Sequence, residues 1–146
     1  MLRFMKMLNN ISRSQAVYRS NKVGGENLQS CHYAYVLRIC HHPGCSQEEL
    51  ATELCVNKST VTRNLNHLEE NGYILRKAFP TDKRQFSVFP TQKMLDVLPK
   101  VKSASIEWMS LLSEGIPQNE LDTFNSVLER MQEKAREIIK QQEVNK

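Results

Sequence analysis

The amino-acid sequence predicts a mainly α-helical protein with one small β-hairpin. Apolar residues recur at spacings of three and four over most of the chain, which is the period of an α-helix. In one place only, two β-prone runs (residues 73–79 and 85–89) flank a turn-forming segment, Pro80-Thr81-Asp82-Lys83-Arg84. We therefore expect helices on both sides of a single hairpin.

The chain of 146 residues is long enough for one domain with a core, and we expect residues 1–146 to form a single domain. The longest apolar run, Tyr33 to Leu37, has five residues, whereas a membrane span needs about 18. Residues 1–10 lack the apolar stretch of a secretory signal. These features indicate a cytoplasmic protein with no membrane partner.

Two helices are expected before Pro43-Gly44. Residues 2–20 carry the apolar stripe of the first helix, which the break at Gly24-Gly25 follows. A second helix, from about Leu28 to Cys40, is rich enough in apolar groups to be the central buried helix. Pro43-Gly44 then prevents its continuation. The stripe of the first helix consists of Leu2, Met5, Leu8, Ile11 and Tyr18.

The next two helices have clear start signals. Ser46 and Glu49 have the spacing of a capping box, in which each side chain bonds the other residue's backbone N–H. Asn57 is a good N-cap for the following helix, and Asn71-Gly72 supplies its stop. Helices of about eight and fourteen residues, joined by a three-residue turn, match the helix-turn-helix plan, with the second as the recognition helix.

The second of these helices has two different faces. Val61, Leu65 and Leu68 form one apolar stripe. The opposite face carries hydrogen-bonding groups that suit the donors and acceptors of a DNA major groove, and its first acids come only at Glu69-Glu70. An ordinary polar surface helix would explain this face equally well in isolation. The polar face consists of Ser59, Thr62, Arg63, Asn66 and His67.

Charge and context favour the nucleic-acid interpretation. The net charge is only +4, but six basic and three acidic side chains give residues 57–84 a charge of +3. A local positive field of this kind attracts phosphate. The hairpin directly after the recognition helix carries Lys83 and Arg84 at its tip, in the position of a wing. Pro90 has no N–H for a sheet, so we expect the second strand to stop by Phe89.

Long helices complete the chain. Thr91 can cap a helix that continues to the break at Gly115-Ile116-Pro117, and a final helix follows, with residues 141–146 frayed. The apolar stripes of the first and last helices can either close a core within one chain or bury against a second copy. The two helices after the wing carry the stripes Met94, Leu95, Leu98, Val101, Ile106, Met109 and Leu112, and Leu121, Phe124, Leu128, Met131, Ala135 and Ile138.

This order of elements resembles the MarR family of bacterial transcriptional regulators over nearly the whole chain. The motifs that carry the resemblance are Leu50-Ala51, Ser59-Thr60-Val61-Thr62-Arg63, Leu68-Glu69-Glu70-Asn71-Gly72-Tyr73-Ile74 and Pro80-Thr81-Asp82-Lys83-Arg84. The resemblance implies a winged helix-turn-helix in which residues 28–90 form the DNA-binding core. It also implies that residues 1–22 and 91–142 form the dimerisation helices of a homodimer on a pseudo-palindromic operator.

The resemblance further implies that Asp82 holds Arg84 by a salt bridge and that Arg84 enters the minor groove. A narrow minor groove has an enhanced negative potential that attracts Arg. Lys58 and Arg76 are expected to meet phosphate rather than bases. The complete set predicted to contact double-stranded DNA is Lys58, Ser59, Thr60, Thr62, Arg63, Asn66, His67, Arg76, Lys77, Asp82, Lys83 and Arg84.

The cysteines, the histidines and the aromatic residues raise the questions of redox activity, metal binding and effector binding. Four cysteines (Cys31, Cys40, Cys45 and Cys55) without a Cys-x-x-Cys pair are expected to be reduced and mostly packed as small apolar groups. Cys31 or Cys45 is a candidate for redox activity. At His41, His42 and Cys45 a solvated turn is favoured over a metal site. We therefore predict no metal and no cofactor. A small aromatic or anionic effector has Tyr33, Tyr35 and Trp108 as candidate pocket residues, although a core role explains each equally well.

The function that these observations favour is a dimeric, sequence-specific DNA-binding regulator, most simply a repressor released by a ligand or by oxidation. Alternatives are a helical dimerisation or partner-binding module, and a thiol- or metal-responsive variant of the same fold. An enzyme is disfavoured, because the sequence has no Gly-rich phosphate loop and no nucleophile paired with a base.

Overall fold

The computed structural model describes residues 2–23, 27–79, 81 and 85–144. These residues contain six α-helices, one 3₁₀ turn (Ser30–His32) and one three-stranded antiparallel sheet. The predicted mainly α-helical fold with a small wing is confirmed. The elements in chain order are α1 (Leu2–Val23), α2 (Tyr33–His41), β1 (Cys45–Ser46), α3 (Gln47–Leu54), α4 (Lys58–Glu70), β2 (Ile74–Ala78), β3 (Phe86–Pro90), α5 (Gln92–Leu112) and α6 (Gln118–Val144).

Helix α2 is the centre of the hydrophobic core, as its apolar composition predicts. Its side chains Tyr33, Val36 and Ile39 are completely buried. Apolar residues of α3, α4, β3 and α5 pack around them in one continuous cluster. Burial of this area away from water is the main favourable contribution to the free energy of folding. The core thereby fixes α3 and α4 against the body of the protein.

Helix α2 begins later than predicted. The expected start at Leu28 is wrong, because residues 30–32 form a 3₁₀ turn before the helix. The Nδ1 atom of His32 accepts a hydrogen bond from the Gln29 backbone N–H at 3.1 Å, and the His32 N–H donates to the Gln29 carbonyl at 2.9 Å. A side chain therefore satisfies a local backbone donor and closes a tight turn here. The break predicted at Gly24-Gly25 lies outside the described residues.

The caps of the helix-turn-helix are confirmed. The Ser46 hydroxyl accepts from the Glu49 N–H at 3.1 Å, and the Glu49 carboxylate accepts from the Ser46 N–H at 2.7 Å. This hydrogen bond to the Ser46 backbone lowers the pKa of Glu49. Helix α3 ends at Cys55, whose φ of 53° is left-handed, and the Asn57 side chain caps α4 by accepting from the Thr60 N–H at 2.8 Å. Residues 55–57 are the predicted three-residue turn.

The sheet has the strand order β1–β3–β2, and β1 was not predicted. The prediction that Pro90 ends β3 at Phe89 is wrong, because Pro90 lies opposite Ile74 within the ladder. The Thr91 N–H donates to the Tyr73 carbonyl, so in an antiparallel ladder the neighbouring Pro90 nitrogen points away from β2. The missing N–H of Pro90 therefore removes no hydrogen bond between β2 and β3.

The contacts divide the chain into two units, Met1–Trp108 and Met109–Lys146. The first contains every buried side chain of the described residues. In the second, α6 continues through Val144, so the fraying predicted from Gln141 is wrong for residues 141–144. Among the described helices, none has the length and apolar character that crossing a bilayer requires.

Helix α5 buries a narrower stripe than predicted. Met94, Val97, Val101 and Ala104 face the core. Leu95, Ile106, Met109 and Leu112, which the spacing also placed on the apolar stripe, are exposed. Its N-terminus agrees with the prediction, since the Thr91 hydroxyl accepts from the Met94 N–H at 3.4 Å.

Candidate nucleic-acid interface

Helix α4 separates its apolar and polar residues as the sequence predicts. Val61, Leu65 and Leu68 are completely buried. This anchoring leaves Ser59, Thr62, Arg63 and Asn66 exposed, while Thr60 is half-buried. The polar face of α4 is therefore presented to solvent over more than two turns.

The exposed face of α4 borders a shallow concavity of about 600 Å³. Its lining combines hydroxyl, amide, guanidinium and imidazole groups with one carboxylate, Glu70, at the C-terminal end of the helix. The lining residues are Ser59, Thr62, Arg63, Asn66, His67 and Glu70.

Two hydroxyl groups on this face already form hydrogen bonds within the protein. Ser59 Oγ donates to Asn57 Oδ1 at 2.8 Å. Thr62 Oγ1 donates to the Lys58 carbonyl at 3.0 Å and lies 3.5 Å from Gln47 Nε2 of α3. Both hydroxyls are thus oriented by the helix-turn-helix itself, which limits the rotamers that a ligand would have to select.

His67, which was predicted to contact DNA, already makes contacts within the protein. Its Nε2 lies 2.8 Å from the Asn27 carbonyl oxygen, and its ring stacks on that of His32 with centroids 4.6 Å apart. The residue is half-buried. Because the Nε2 atom already has a partner within the chain, His67 borders the exposed face rather than projecting from it.

Lys58 and Arg76, both predicted to contact phosphate, lie in different environments. Lys58 Nζ forms a 2.9 Å ion pair with Glu48, and both side chains are largely exposed. Exposed pairs of this kind contribute little to stability, so the Lys58 ammonium can exchange partners at low cost.

Arg76 is instead committed to Glu69. Its guanidinium donates to the Glu69 carboxylate, with Nε at 2.9 Å, and its side chain is only 19% exposed. The hydrogen bond from Arg76 lowers the pKa of Glu69. This interaction joins the end of α4 to β2 and gives Arg76 a structural role, while its phosphate contact stays a prediction. Lys77, in the same strand, is exposed and places its Nζ 4.9 Å from the Phe89 ring centroid.

The predicted wing-tip residues Asp82, Lys83 and Arg84 lie outside the described residues, as does Pro80. The strands that carry the tip are described. In the ladder between β2 and β3, Ile74 lies opposite Pro90 at one end and Ala78 lies opposite Phe86 at the other. The Phe79 N–H donates to the Gln85 carbonyl at 2.9 Å. The wing is therefore paired up to the residues that flank its tip.

One buried residue of α4 was missed by the sequence reasoning. Asn64 is 9% exposed and lies among the apolar residues of the helix. Its Nδ2 donates to the Tyr35 hydroxyl at 3.2 Å, and its Oδ1 lies 3.8 Å from the Cys31 sulfur, which donates its S–H. Its position three residues after Val61 was the available signal, because that spacing places both residues on one face.

The tyrosines proposed as pocket residues are core residues. Tyr33 and Tyr35 are 0% and 2% exposed, and the Tyr33 hydroxyl donates to the Arg19 carbonyl at 2.8 Å. Burial raises the pKa of both phenols. Trp108 is half-buried and packs against Tyr18 with ring centroids 5.3 Å apart. Tyr33 and Tyr35 are therefore packed in the core of the chain, and the effector pocket stays a prediction.

The cysteines are less uniformly packed than predicted. Cys45 is buried and Cys40 is partly buried, but Cys31 and Cys55 are exposed. Desolvation nevertheless raises the pKa of the Cys31, Cys40 and Cys45 thiols, which disfavours the reactive thiolate. Across the described part of the chain, no three His, Cys, Asp or Glu side chains gather where they could hold a metal ion.

Comparison with known proteins gives consistent matches. The MarR family model matches residues 29–86. A relative described as a putative transcriptional regulatory protein for the hcr operon of Thauera aromatica is 29% identical over 99 residues. That match covers 68% of this chain and 60% of the relative's length.

Solved structures match over more of the chain. A MarR transcriptional regulator from Methanosarcina mazei Go1 has a TM-score of 0.86 at 25% identity, covering 94% of this chain and 99% of that one. The crystal structure of a protein named MarR has a TM-score of 0.81 at 31% identity, covering 92% and 91%. The matched fold and the identity to this second structure show that the chain belongs to the MarR family of transcriptional regulators.

Proposed function

We propose that this protein is a homodimeric, sequence-specific DNA-binding regulator of transcription that acts as a repressor on a pseudo-palindromic operator. The observation that carries the proposal is the exposed face of α4. Its apolar side is completely buried, so Thr62, Arg63 and Asn66 project from a rigid helix that fits the width of a major groove. Repression would follow from occupancy of the promoter.

Within this interface the side chains have different roles. Within the described residues, Arg63 has no ion pair and is the longest exposed donor on α4, so it is the main candidate for a guanine contact. Thr62 and Ser59 would add contacts from oriented hydroxyls. Lys58, once released from Glu48, would bind phosphate and position the helix without reading sequence.

The wing supplies the second part of the proposed interface. The sequence places two cations, Lys83 and Arg84, at the tip of a hairpin whose strands are paired as far as Phe79 and Gln85. Arg84 is proposed to enter the minor groove beside the recognition helix, with Asp82 orienting it. An acid in a DNA-facing tip would repel phosphate unless it had such a structural role.

The dimer is supported by the apolar surface of the terminal helices. Helix α6 has 27 residues, yet none of its described side chains is buried within the chain. Helices in proteins gain most of their stability by packing an apolar face against another element, and we propose that a second copy of the chain supplies that element for α6. The large apolar residues exposed on α6 are Phe124, Val127, Met131, Ile138 and Ile139.

The proposal is tested by selecting binding duplexes from a random-sequence library and titrating the selected duplex against salt. Affinity should fall on the order of 10³-fold between 50 and 200 mM salt, because bound phosphates release counterions. Arg84→Ala should lower affinity strongly and leave the circular dichroism spectrum unchanged. Arg63→Ala should weaken the selected duplex by about 1–3 kcal/mol and a scrambled duplex much less.

Lys58→Ala is the matched control, since loss of a phosphate contact should weaken both duplexes equally. If no sequence is enriched, or if affinity does not depend on salt, the proposal is wrong. A helical partner-binding module would then be the better assignment. Equal loss on both duplexes for Arg63→Ala would reassign Arg63 to the phosphate backbone.

A further inference from the structure

A buried polar cluster connects the recognition helix to the centre of the core. It consists of Asn64 in α4, Tyr35 in α2 and His32 in the 3₁₀ turn, with the exposed Cys31 at its edge. His32 and Tyr35 are 1% and 2% exposed, and Asn64 is 9% exposed. Polar groups at this depth must hydrogen-bond to each other, because water does not reach them.

Asn64 occupies a position that packing alone would give to an apolar residue. It follows Val61 by three residues and precedes Leu68 by four, so all three share the buried side of the helix. Apolar contacts among such residues are non-directional, and a helix held only by them can rotate or slide by small amounts. A hydrogen bond, in contrast, requires a particular distance and angle.

The bond from Asn64 Nδ2 to the Tyr35 hydroxyl, at 3.2 Å, supplies this direction. Tyr35 is itself held in the first turn of α2, where it is buried in the core. On the same amide, Oδ1 faces the Cys31 sulfur at 3.8 Å, so the two ends of the amide contact two different elements. Rotation of α4 about its axis would separate Asn64 from both partners at once.

We propose that Asn64 is a positioning residue, whose hydrogen bond to Tyr35 sets the rotation of α4 and so aims Thr62 and Arg63 at the bases. This inference rests on the proposed DNA-binding function. Asn64 immediately follows Arg63 in the same helix, so a change in the rotation of one moves the other. The amide contributes to specificity for DNA sequence without touching DNA.

The test compares Asn64→Leu, Tyr35→Phe and the double variant, using the duplex selected with the wild-type protein and a scrambled duplex of the same composition. Each single variant strands one buried polar group, whereas the double variant removes both and should recover stability. In all three, the ratio of selected to scrambled affinity should fall about tenfold, the loss of roughly one base contact. The salt dependence should not change, because no phosphate contact is lost.

The double variant separates positioning from stability. If it recovers both its melting temperature and the wild-type affinity ratio, the bond only stabilises the fold and the inference is wrong. Ile39→Val is the matched control, since it removes one methylene from the same helix as Tyr35 and should keep the ratio. Failure of the wild-type protein to select any sequence would instead overturn the proposed function, and is seen before any variant is made.

Discussion

Helices α4 and α6 both carry apolar residues at spacings of three and four, yet only α4 buries them within the chain. Leu65 in α4 is completely buried, whereas Ile138 in α6 is 46% exposed. The periodicity of a helix therefore identifies its apolar face but does not identify the element that packs against that face. For α4 the cover is the core around α2, and for α6 we propose a second copy of the chain.

The largest effect is expected from placing charge on the exposed face of α6. Phe124→Glu combined with Met131→Glu puts two carboxylates where the second copy is proposed to pack. The dimer should dissociate, and affinity for the selected duplex should fall by about 10²-fold or more, because two linked half-sites no longer bind together. Sedimentation velocity and fluorescence anisotropy measure the two quantities.

Asn125→Glu with Gln132→Glu is the matched control, since it adds the same charge at the same spacing on exposed polar positions. This variant should remain dimeric. A monomeric control, or a dimeric Phe124/Met131 variant, would show that the apolar face of α6 is not the dimer contact.

The next effect concerns the buried face of α4. Leu65→Ala should lower the free energy of unfolding by about 2–5 kcal/mol, through lost burial and the cavity that remains. Its dimer dissociation constant should be unchanged. Ile138→Ala should behave in the opposite way, weakening the dimer while leaving the stability of the diluted monomer nearly intact. Urea denaturation and sedimentation equilibrium distinguish the two, and identical behaviour of the variants would remove the contrast between the helices.

Acid should weaken the attachment of α4 through His32. Burial and the neighbouring His67 lower the pKa of His32 to about 4, so the folded state favours the neutral ring. The unfolded chain then binds more protons between pH 6.5 and 4. The contribution of the neutral His32 ring to the free energy of unfolding should be fully present above pH 6.5. The free energy of unfolding should then fall by up to about 3 kcal/mol as the pH drops to 4.

His32→Gln isolates this contribution, because an amide oxygen can still accept from the Gln29 N–H but does not titrate. The difference in unfolding free energy between wild type and variant should narrow or change sign as pH falls from 6.5 to 4. His41→Gln makes the same replacement at an exposed histidine and is the control for the substitution itself. Parallel wild-type and His32→Gln curves would exclude His32 as the titrating group.

The smallest effect concerns the start of α4. Asn57→Ala removes the cap of the helix and should cost about 1 kcal/mol of stability. Asn66→Ala, at an exposed position of the same helix, should leave the melting temperature nearly unchanged and lower only DNA affinity. Thermal denaturation and the duplex assay separate these two asparagines, and equal melting temperatures would mean that the cap is dispensable.

The sequence predicted those features that depend on neighbours along the chain. The caps at Ser46 and Asn57 and the stop at Gly72 involve groups three or four residues apart, so their chemistry is visible in the sequence. The polar face of α4 follows in the same way, since its apolar stripe determines which side is exposed.

Features that depend on distant partners were not predictable. Strand β1 has two residues and exists only because Cys45 and Ser46 pair with Val88 and Ser87. The ion pair of Arg76 was not predicted, because its partner Glu69 lies in a different element. Asn64 was missed, because nothing in the local sequence shows that the Tyr35 hydroxyl lies opposite it.

Ser46 has a consequence for changes in chain length. The same residue ends β1, where it pairs with Ser87, and caps α3 through its hydroxyl. The covalent chain therefore passes from sheet to helix with no intervening linker that could take up an inserted or deleted residue. A single insertion at this junction would break either the strand pairing or the cap. Insertions and deletions should therefore be tolerated far less here than at the exposed residues 114–117 between α5 and α6.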